Sequence, residues 1–321
     1  MPRDVLVYSS RLRTRFRGIT VRDGVLLRGD AGWGEFSPFW DYDDAESSAW
    51  LAAARETADL GWPAQLRSSV PVNVTVPAVD PERAHAIVTG SGGCTTAKVK
   101  VAEPGQGLAE TEARLEAVRD ALGPAGRIRI DANGGWTRDE ALTSLARLDR
   151  AAGGLEYVEQ PCASVADLAA VRRAQSVPVA ADESIRRAAD PLAVRRAEAA
   201  DVVVLKVQPL GGVRACLRLA EEVGLPVVVS SALESSVGIA AGLALAAALP
   251  ELPYACGLAT VHLFERDVAA APLLPVGGEL PVPASPAAVA PLAVTPPDVL
   301  GADVATRERW LARLDVVGSR A

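Results

Sequence analysis

Apolar and polar positions alternate in short runs at the start of the chain. VLVYSS (5–10), GVLLRG (24–29) and GWGEFS (32–37) show the two-residue period of strands with one covered face. A helical segment follows, DDAESSAWLAAARETADL (43–60), whose Asp- and Ser-rich start precedes an Ala/Leu face. Residues 1–72 therefore predict a small α+β unit. From about residue 72 the rhythm changes. Eight short β-branched runs recur: VNVTVPA (72–78), TAKVKVA (96–102), RIRIDAN (127–133), LEYVEQP (155–161), VPVAADES (177–184), DVVVLKVQ (201–208), PVVVSSALES (226–235) and PYACGLAT (253–260). Most segments between them, such as LAETEARLEAVRDAL (108–122) and RDEALTSLARLDRAA (138–152), are Ala/Leu/Arg-rich with helical spacing.

Strands buried on both faces and joined by helices belong to parallel sheets. Eight of them, spaced by roughly 25 residues, predict an α/β sheet closed on itself, a (β/α)7β-type TIM barrel over residues 73–270. An open doubly wound sheet is the rival. Its glycine-rich phosphate turn is missing, since TGSGG (89–93) precedes a strand rather than opening a helix. The Pro-rich stretch 271–300 and the helix-like TRERWLARLDVV (306–317) predict a C-terminal segment, 271–321, that packs back on the N-terminal capping domain.

Composition narrows the function classes. Of 321 residues 49% are hydrophobic, enough for a sizeable core. A net charge of −7 and a pI near 5.1 argue against nucleic acid or an anionic membrane as partner. Cys94, Cys162, Cys216 and Cys256 form no CxxC pair and fit reduced thiols in a cytosolic protein. The N-terminus lacks the apolar run of a signal peptide, and IAAGLALAAAL (239–249) is too short to span a bilayer and reads as a buried helix. The expectation is a soluble, cytoplasmic protein with a small-molecule ligand and no evident obligate protein partner.

Among 33 basic residues only Lys98, Lys100 and Lys206 are lysines. All three fall near the ends of predicted strands, where barrel active sites lie. Read in order, those ends carry Lys98 and Lys100, Asp131 with Asn133, Glu159, Asp182 with Glu183, Lys206, and Ser230–Ser231. The acids are 28 residues (131 to 159) and 23 residues (159 to 182) apart, one βα unit each, so Asp131, Glu159 and Asp182 converge from adjacent strands. Three converging carboxylates repel one another unless a cation holds them. A hard divalent ion with oxygen ligands answers this: Mg2+, with Mn2+ as a substitute. Zinc is disfavoured, because His85 and His262 are the only histidines and form no ligand motif. Glu183 reads instead as a helix-start or salt-bridge acid.

Residues two apart on a strand share a face, so Lys98 and Lys100 project together, while Lys206 comes from the opposite wall. A free lysine is a poor base at neutral pH; a neighbouring ammonium, a divalent cation and burial all favour its neutral form. A metal on one arc with an amine on each side of a substrate suits removal of a proton α to a carboxylate. Arginine cannot take that role because guanidinium keeps its proton.

These motifs together, KVK (98–100), DANGGW (131–136), VEQP (158–161), ADES (181–184) and LKVQPLGG (205–212), resemble the enolase superfamily, and within it the muconate-lactonising subgroup. RIRIDANGGW (127–136), SSALESSVG (230–238), CGLAT (256–260) and GWGEFSPF (32–39) are most similar to the o-succinylbenzoate synthases of menaquinone biosynthesis. The resemblance implies Mg2+ on Asp131, Glu159 and Asp182. It implies that Lys100 removes the α-proton of 2-succinyl-6-hydroxy-2,4-cyclohexadiene-1-carboxylate and then protonates the departing hydroxyl in a syn dehydration through an ene-diolate. Lys206 would stabilise the ene-diolate, and Lys98 would favour the neutral form of Lys100 and contact the carboxylate. Arg129, Asn133, Ser231 and Gly257 are implied substrate contacts, and a flexible cap loop around residues 12–24 is implied to close over the succinyl tail. One departure stands out: Ala259 occupies the position of the family's acid in GLDT. Same-fold alternatives are N-succinylamino acid racemase, dipeptide epimerase and muconate cycloisomerase. More distant ones are a Schiff-base aldolase using Lys206, and a barrel that only binds a ligand.

Overall fold

The N-terminal alternation folds as an antiparallel meander: β1 (Asp4–Phe16) pairs with β2 (Ile19–Arg28), and β2 with β3 (Trp33–Phe36). The structure, a computed structural model, describes residues 4–292 and 301–319. Residues 12–24, expected as a flexible loop, are instead the tip half of the β1–β2 hairpin. Pairing runs from Asp4↔Arg28 to Phe16↔Ile19, with an irregularity between Arg11 and Phe16. The two-residue turn, Arg17 and Gly18, has φ of +48° and +76°, the left-handed pair that matches strand twist in tight hairpins. Helix α1 (Asp44–Arg55) starts in a capping box of Asp43 and Glu46 and continues as one wider turn, Glu56–Leu60.

After β4 (Ser69–Pro71) comes the repeating part: β5 (Val74–Val76), α2 (Pro81–Thr89), β6 (Thr96–Lys100), α3 (Leu108–Leu122), β7 (Arg127–Asp131), α4 (Arg138–Ala152), β8 (Leu155–Glu159), α5 (Val165–Ala174) and β9 (Val179–Ala181). It continues through α6 (Glu183–Arg186), α7 (Ala193–Arg196), β10 (Val202–Leu205), α8 (Val213–Val223), β11 (Val227–Val229) and α9 (Ser236–Ala248). The seven strands form one parallel sheet in the order β11-β10-β9-β8-β7-β6-β5. The eighth predicted strand, 253–260, is reduced to two residues. Cys256 bridges Val72 and Gly257 bridges Ser230, and these contacts join the two sheet edges. The strand stops there because a 3-10 turn, Ala259–Leu263, follows directly. The fifth connection likewise holds two single turns instead of a full helix, interrupted at Asp190-Pro191.

Helix α9 is buried along Ser236–Ala247, which explains its lack of a polar face; it packs against β3, β4 and β11. At the C-terminal end, β12 (Glu279–Pro281) pairs antiparallel with β4. Helix α10 (Val304–Gly318) lies on α1: buried Trp310 meets Phe36 edge-on at 5.9 Å, and Arg313 donates to the carbonyls of Pro38, Phe39 and Tyr42. Of the expected Pro-rich stretch, residues 293–300 lie outside the described residues.

Candidate active site

The parallel register fixes who faces whom. Lys100 pairs across the sheet with Asp131, and Asp131 with Glu159; Asp182 follows β9 and Lys206 follows β10. With the ring joined through Cys256 and Gly257, β6 and β10 stand four positions apart of eight, so their lysines enter from opposite walls. Lys98 Nζ donates to both oxygens of Glu159 at 3.0 and 3.1 Å and lies 3.5 Å from Asp131 Oδ2. Lys100 Nζ donates to Asp131 Oδ2 at 2.5 Å and Asn133 Oδ1 at 2.6 Å. From the other wall Lys206 Nζ donates to Asp182 Oδ2 at 2.7 Å, while Arg186 Nε donates to Asp182 Oδ1 at 2.9 Å.

All three acids are buried, so their charges are felt strongly. Burial alone would raise the Asp131 carboxyl, but Lys100 and Lys98 pull it well below the usual range. Burial likewise opposes ionisation of Asp182, and Arg186 with Lys206 outweighs it, holding the group at about 2. Glu159 goes the other way: burial, then the negative charge of Asp131, pushes it up to about 7. Burial disfavours the Lys98 ammonium, yet Glu159 and Asp131 more than restore it and hold Lys98 charged. Among the described residues no three acid, imidazole or thiol side chains already stand in a metal-ligand cluster, because each acid is turned toward a lysine or arginine. The donor set nevertheless fits a hard divalent ion. It offers only carboxylate oxygens, is buried, and contains one acid destabilised by its two neighbours.

A family profile described as "Enolase C-terminal domain-like" matches residues 82–286, and "Enolase N-terminal domain-like" matches 7–58. The chain belongs to the enolase superfamily. It is 71% identical over 271 residues to the o-succinylbenzoate synthase of Thermobifida fusca (strain YX), covering 84% of each chain. It is 53% identical over 306 residues to that of Mycolicibacterium smegmatis, covering 94% of this chain and 91% of the relative. Among solved structures, the L-Ala-D/L-Glu epimerase of Bacillus subtilis superposes with a TM-score of 0.77 at 24% identity, over 91% of this chain and 98% of the epimerase. The 2-chloromuconate cycloisomerase of Rhodococcus opacus 1CP does so at 0.74 and 23%, over 90% and 96%. At such identities these structures share the fold alone. Enolase-superfamily enzymes generally use a divalent metal ion.

The remaining expected contacts divide. Asn133, at φ +47°, joins the two sides of the site: its Oδ1 accepts from Lys100 and its Nδ2 donates to Glu183 Oε1 at 3.2 Å. Ser231 lines the cleft, sharing a hydrogen bond with Thr260 Oγ1 at 2.8 Å. Gly257 also lines it, and a Cβ there would fall 2.4 Å from Ser230 Oγ, so a larger residue would have to push that hydroxyl aside. Arg129 is a correction to the expected contacts. It is wholly buried beside the lower part of β8, donating to Tyr157 Oη at 2.9 Å, to Ala255 O at 2.8 Å and to the Glu156 carboxylate, and it does not line the cleft. Period two puts Arg129 on the face of Asp131 but one pleat lower, where a buried carboxylate and a phenol absorb its donors. Glu183 pairs with Arg186 at 2.5 Å, as a salt-bridge acid should.

Sequence reasoning missed several lining residues. Arg186 also donates to Tyr42 Oη; its spacing of four from Asp182 on a helix start was the available signal. Phe16 and Arg17 reach the cleft only through the hairpin, with the Phe16 ring centre 5.6 Å from Lys100 Nζ. Phe39, Thr75 and Thr260 carried no signal of their own.

Proposed function

We propose that this chain catalyses the syn dehydration of 2-succinyl-6-hydroxy-2,4-cyclohexadiene-1-carboxylate to o-succinylbenzoate, in menaquinone biosynthesis in the cytoplasm. The observation that carries the reading is the trio of buried acids flanked by Lys98 and Lys100 on one wall and Lys206 on the other. The two synthase relatives, aligned over most of the chain, are named for this product. No described helix is long and apolar enough to cross a membrane.

Asp131, Glu159 and Asp182 would hold one divalent ion, Mg2+ by preference for an all-oxygen set. Bound there, the ion supplies positive charge beside the substrate carboxylate and so acidifies the neighbouring C–H. Lys100 removes that α-proton and returns it to the hydroxyl leaving from the same face, which makes the elimination syn. Lys206, from the opposite side, neutralises the negative charge that builds on the carboxylate once the proton has left. Lys98, held charged by its two acids, orients the carboxylate. Asn133, Ser231 and Gly257 contact the substrate. A capping domain of residues 1–72, a catalytic barrel of 73–270 and a returning segment of 271–321 divide this labour.

A paired assay tests the reading. Purified protein with Mg2+ should form o-succinylbenzoate, followed by its aromatic absorbance. No dehydration at saturating metal, with rapid racemisation of N-succinyl amino acids instead, would overturn it in favour of a racemase, for which both faces also carry an amine.

A further inference from the structure

Behind the cleft wall lies a buried ionic group that none of the chemistry above uses. Arg22, on β2, is 2% exposed. Its Nε donates to Leu233 O at 2.9 Å, and its Nη2 donates to Ser37 O, to Ser37 Oγ at 3.0 Å and to Ala232 O at 3.5 Å. Ser37 Oγ passes the link on to Glu35 Oε1 at 2.8 Å. Glu35, also 2% exposed, accepts from Tyr8 Oη at 2.7 Å, Ser235 N at 3.1 Å, Ser235 Oγ at 2.5 Å and Gly238 N at 3.0 Å. Its charge thus sits at the N-terminus of α9, where helix amides and the helix dipole favour an anion.

Both groups come from the N-terminal meander, and both grip the same few residues after β11. That segment is strained: Leu233, a bulky residue, is held at φ +65°. Backbone of this kind persists only where its surroundings over-determine it, and it clusters at functional sites. Ser231, Ala232 and Leu233 line the cleft, as does Phe39, whose ring centre is 4.2 Å from the Arg22 guanidinium carbon. Arg22 and Glu35 themselves do not line it.

We propose that Arg22 and Glu35, linked through Ser37, are positioning residues that hold the wall Ser231–Ser235 and the Phe39 ring in the shape that receives the substrate's side chain. The inference rests on the dehydratase reading for its substrate. The geometry separates the pair from the reacting atoms, which belong to the acids and lysines. Loosening the wall therefore weakens binding while leaving the proton transfer largely intact.

The test uses full-length Arg22→Met, Arg22→Lys and Glu35→Gln, with Leu145→Ala, a core truncation in α4 remote from the wall, as the stability control. Arg22→Met should raise KM for the cyclohexadiene carboxylate about tenfold while kcat stays within about threefold. It should also speed amide exchange in the peptide 229–238. Arg22→Lys, which keeps the charge with fewer donors, should fall between Arg22→Met and wild type. Leu145→Ala should lower Tm comparably with KM unchanged. A KM within about twofold of wild type in folded Arg22→Met overturns the proposal, as does an equal KM rise in Leu145→Ala. If Arg22→Met does not fold, Glu35→Gln decides on the same two readouts. If wild-type protein shows no dehydration, the functional reading fails separately. The wall then stands or falls on amide exchange: unchanged protection at 229–238 in Arg22→Met or Glu35→Gln would overturn it.

Discussion

Replacing Glu234 with glutamine should make the protein more stable above neutral pH, and the size of the gain follows from the burial of this one acid. Glu234 is 1% exposed, and both its carboxylate oxygens accept from Ala232 N, at 3.0 and 2.8 Å. Burial, then the charge of Glu35, pushes its carboxyl from the ordinary 4.5 up to about 7. Between those values the folded protein keeps a proton that the unfolded chain has released. Stability therefore falls as pH rises through that window and stays low above it. Across the interval from 4.5 to about 7, at roughly 1.4 kcal/mol per pH unit, the loss is about 3 kcal/mol. The substituted amide cannot ionise and keeps an oxygen for Ala232 N, so this loss disappears. Urea unfolding of both proteins from about pH 4 to 8 measures the difference directly. The curves should meet near pH 4 and separate by about 3 kcal/mol at about pH 8, several degrees in Tm for a chain of this size. Parallel profiles over the whole range would show that Glu234 is already ionised at low pH in the folded protein, and the burial argument would fail.

Further outcomes follow from the site. Lys100→Ala should lower kcat by about 10²- to 10⁴-fold with a smaller change in KM, read by stopped-flow absorbance; a drop of less than about tenfold would remove Lys100 as the base. Chelation should abolish dehydration and added Mg2+ restore it, and Asp131→Asn should weaken Mg2+ binding measured by calorimetry on the protein alone. Lys98→Met should destabilise the metal-free protein by about 3–5 kcal/mol in urea unfolding, because it strands Glu159 and Asp131 beside one another without Lys98; a change below about 1 kcal/mol would contradict that pairing.

The cap-to-barrel contact gives the molecule much of its organisation. Glu35 and Arg22 come from strands that the meander presents edge to edge, and α9 meets them with its N-terminus. Gly238 permits this approach: a Cβ there would fall 2.6 Å from Glu234 Cβ and 2.9 Å from Glu35 Oε2. The burial of α9 on every side, odd for a helix outside a barrel, has the same origin, since β3 and β4 cover the face that would otherwise meet water.

What the sequence determined by itself was local and periodic. Two-residue alternation marked the meander, short β-branched runs marked the parallel strands, and strand-end position picked out Lys98, Lys100, Lys206 and the three acids, because a βα repeat carries each to the same end of the sheet. The start of α1 was equally legible from its Asp- and Ser-rich residues, where Asp43 caps the helix. The tertiary structure decided whatever depended on depth or on partners distant in the chain. Arg129 shares the face of Asp131 but ends one pleat below the mouth, on Glu156 and Tyr157. The eighth strand is only Cys256 and Gly257, cut short by the 3-10 turn Ala259–Leu263, yet those two residues bridge both sheet edges. Arg22 and Glu35 lie about 200 residues from the loop they hold, a distance that no periodicity spans. Their role exists only once the hairpin and α9 have been brought together.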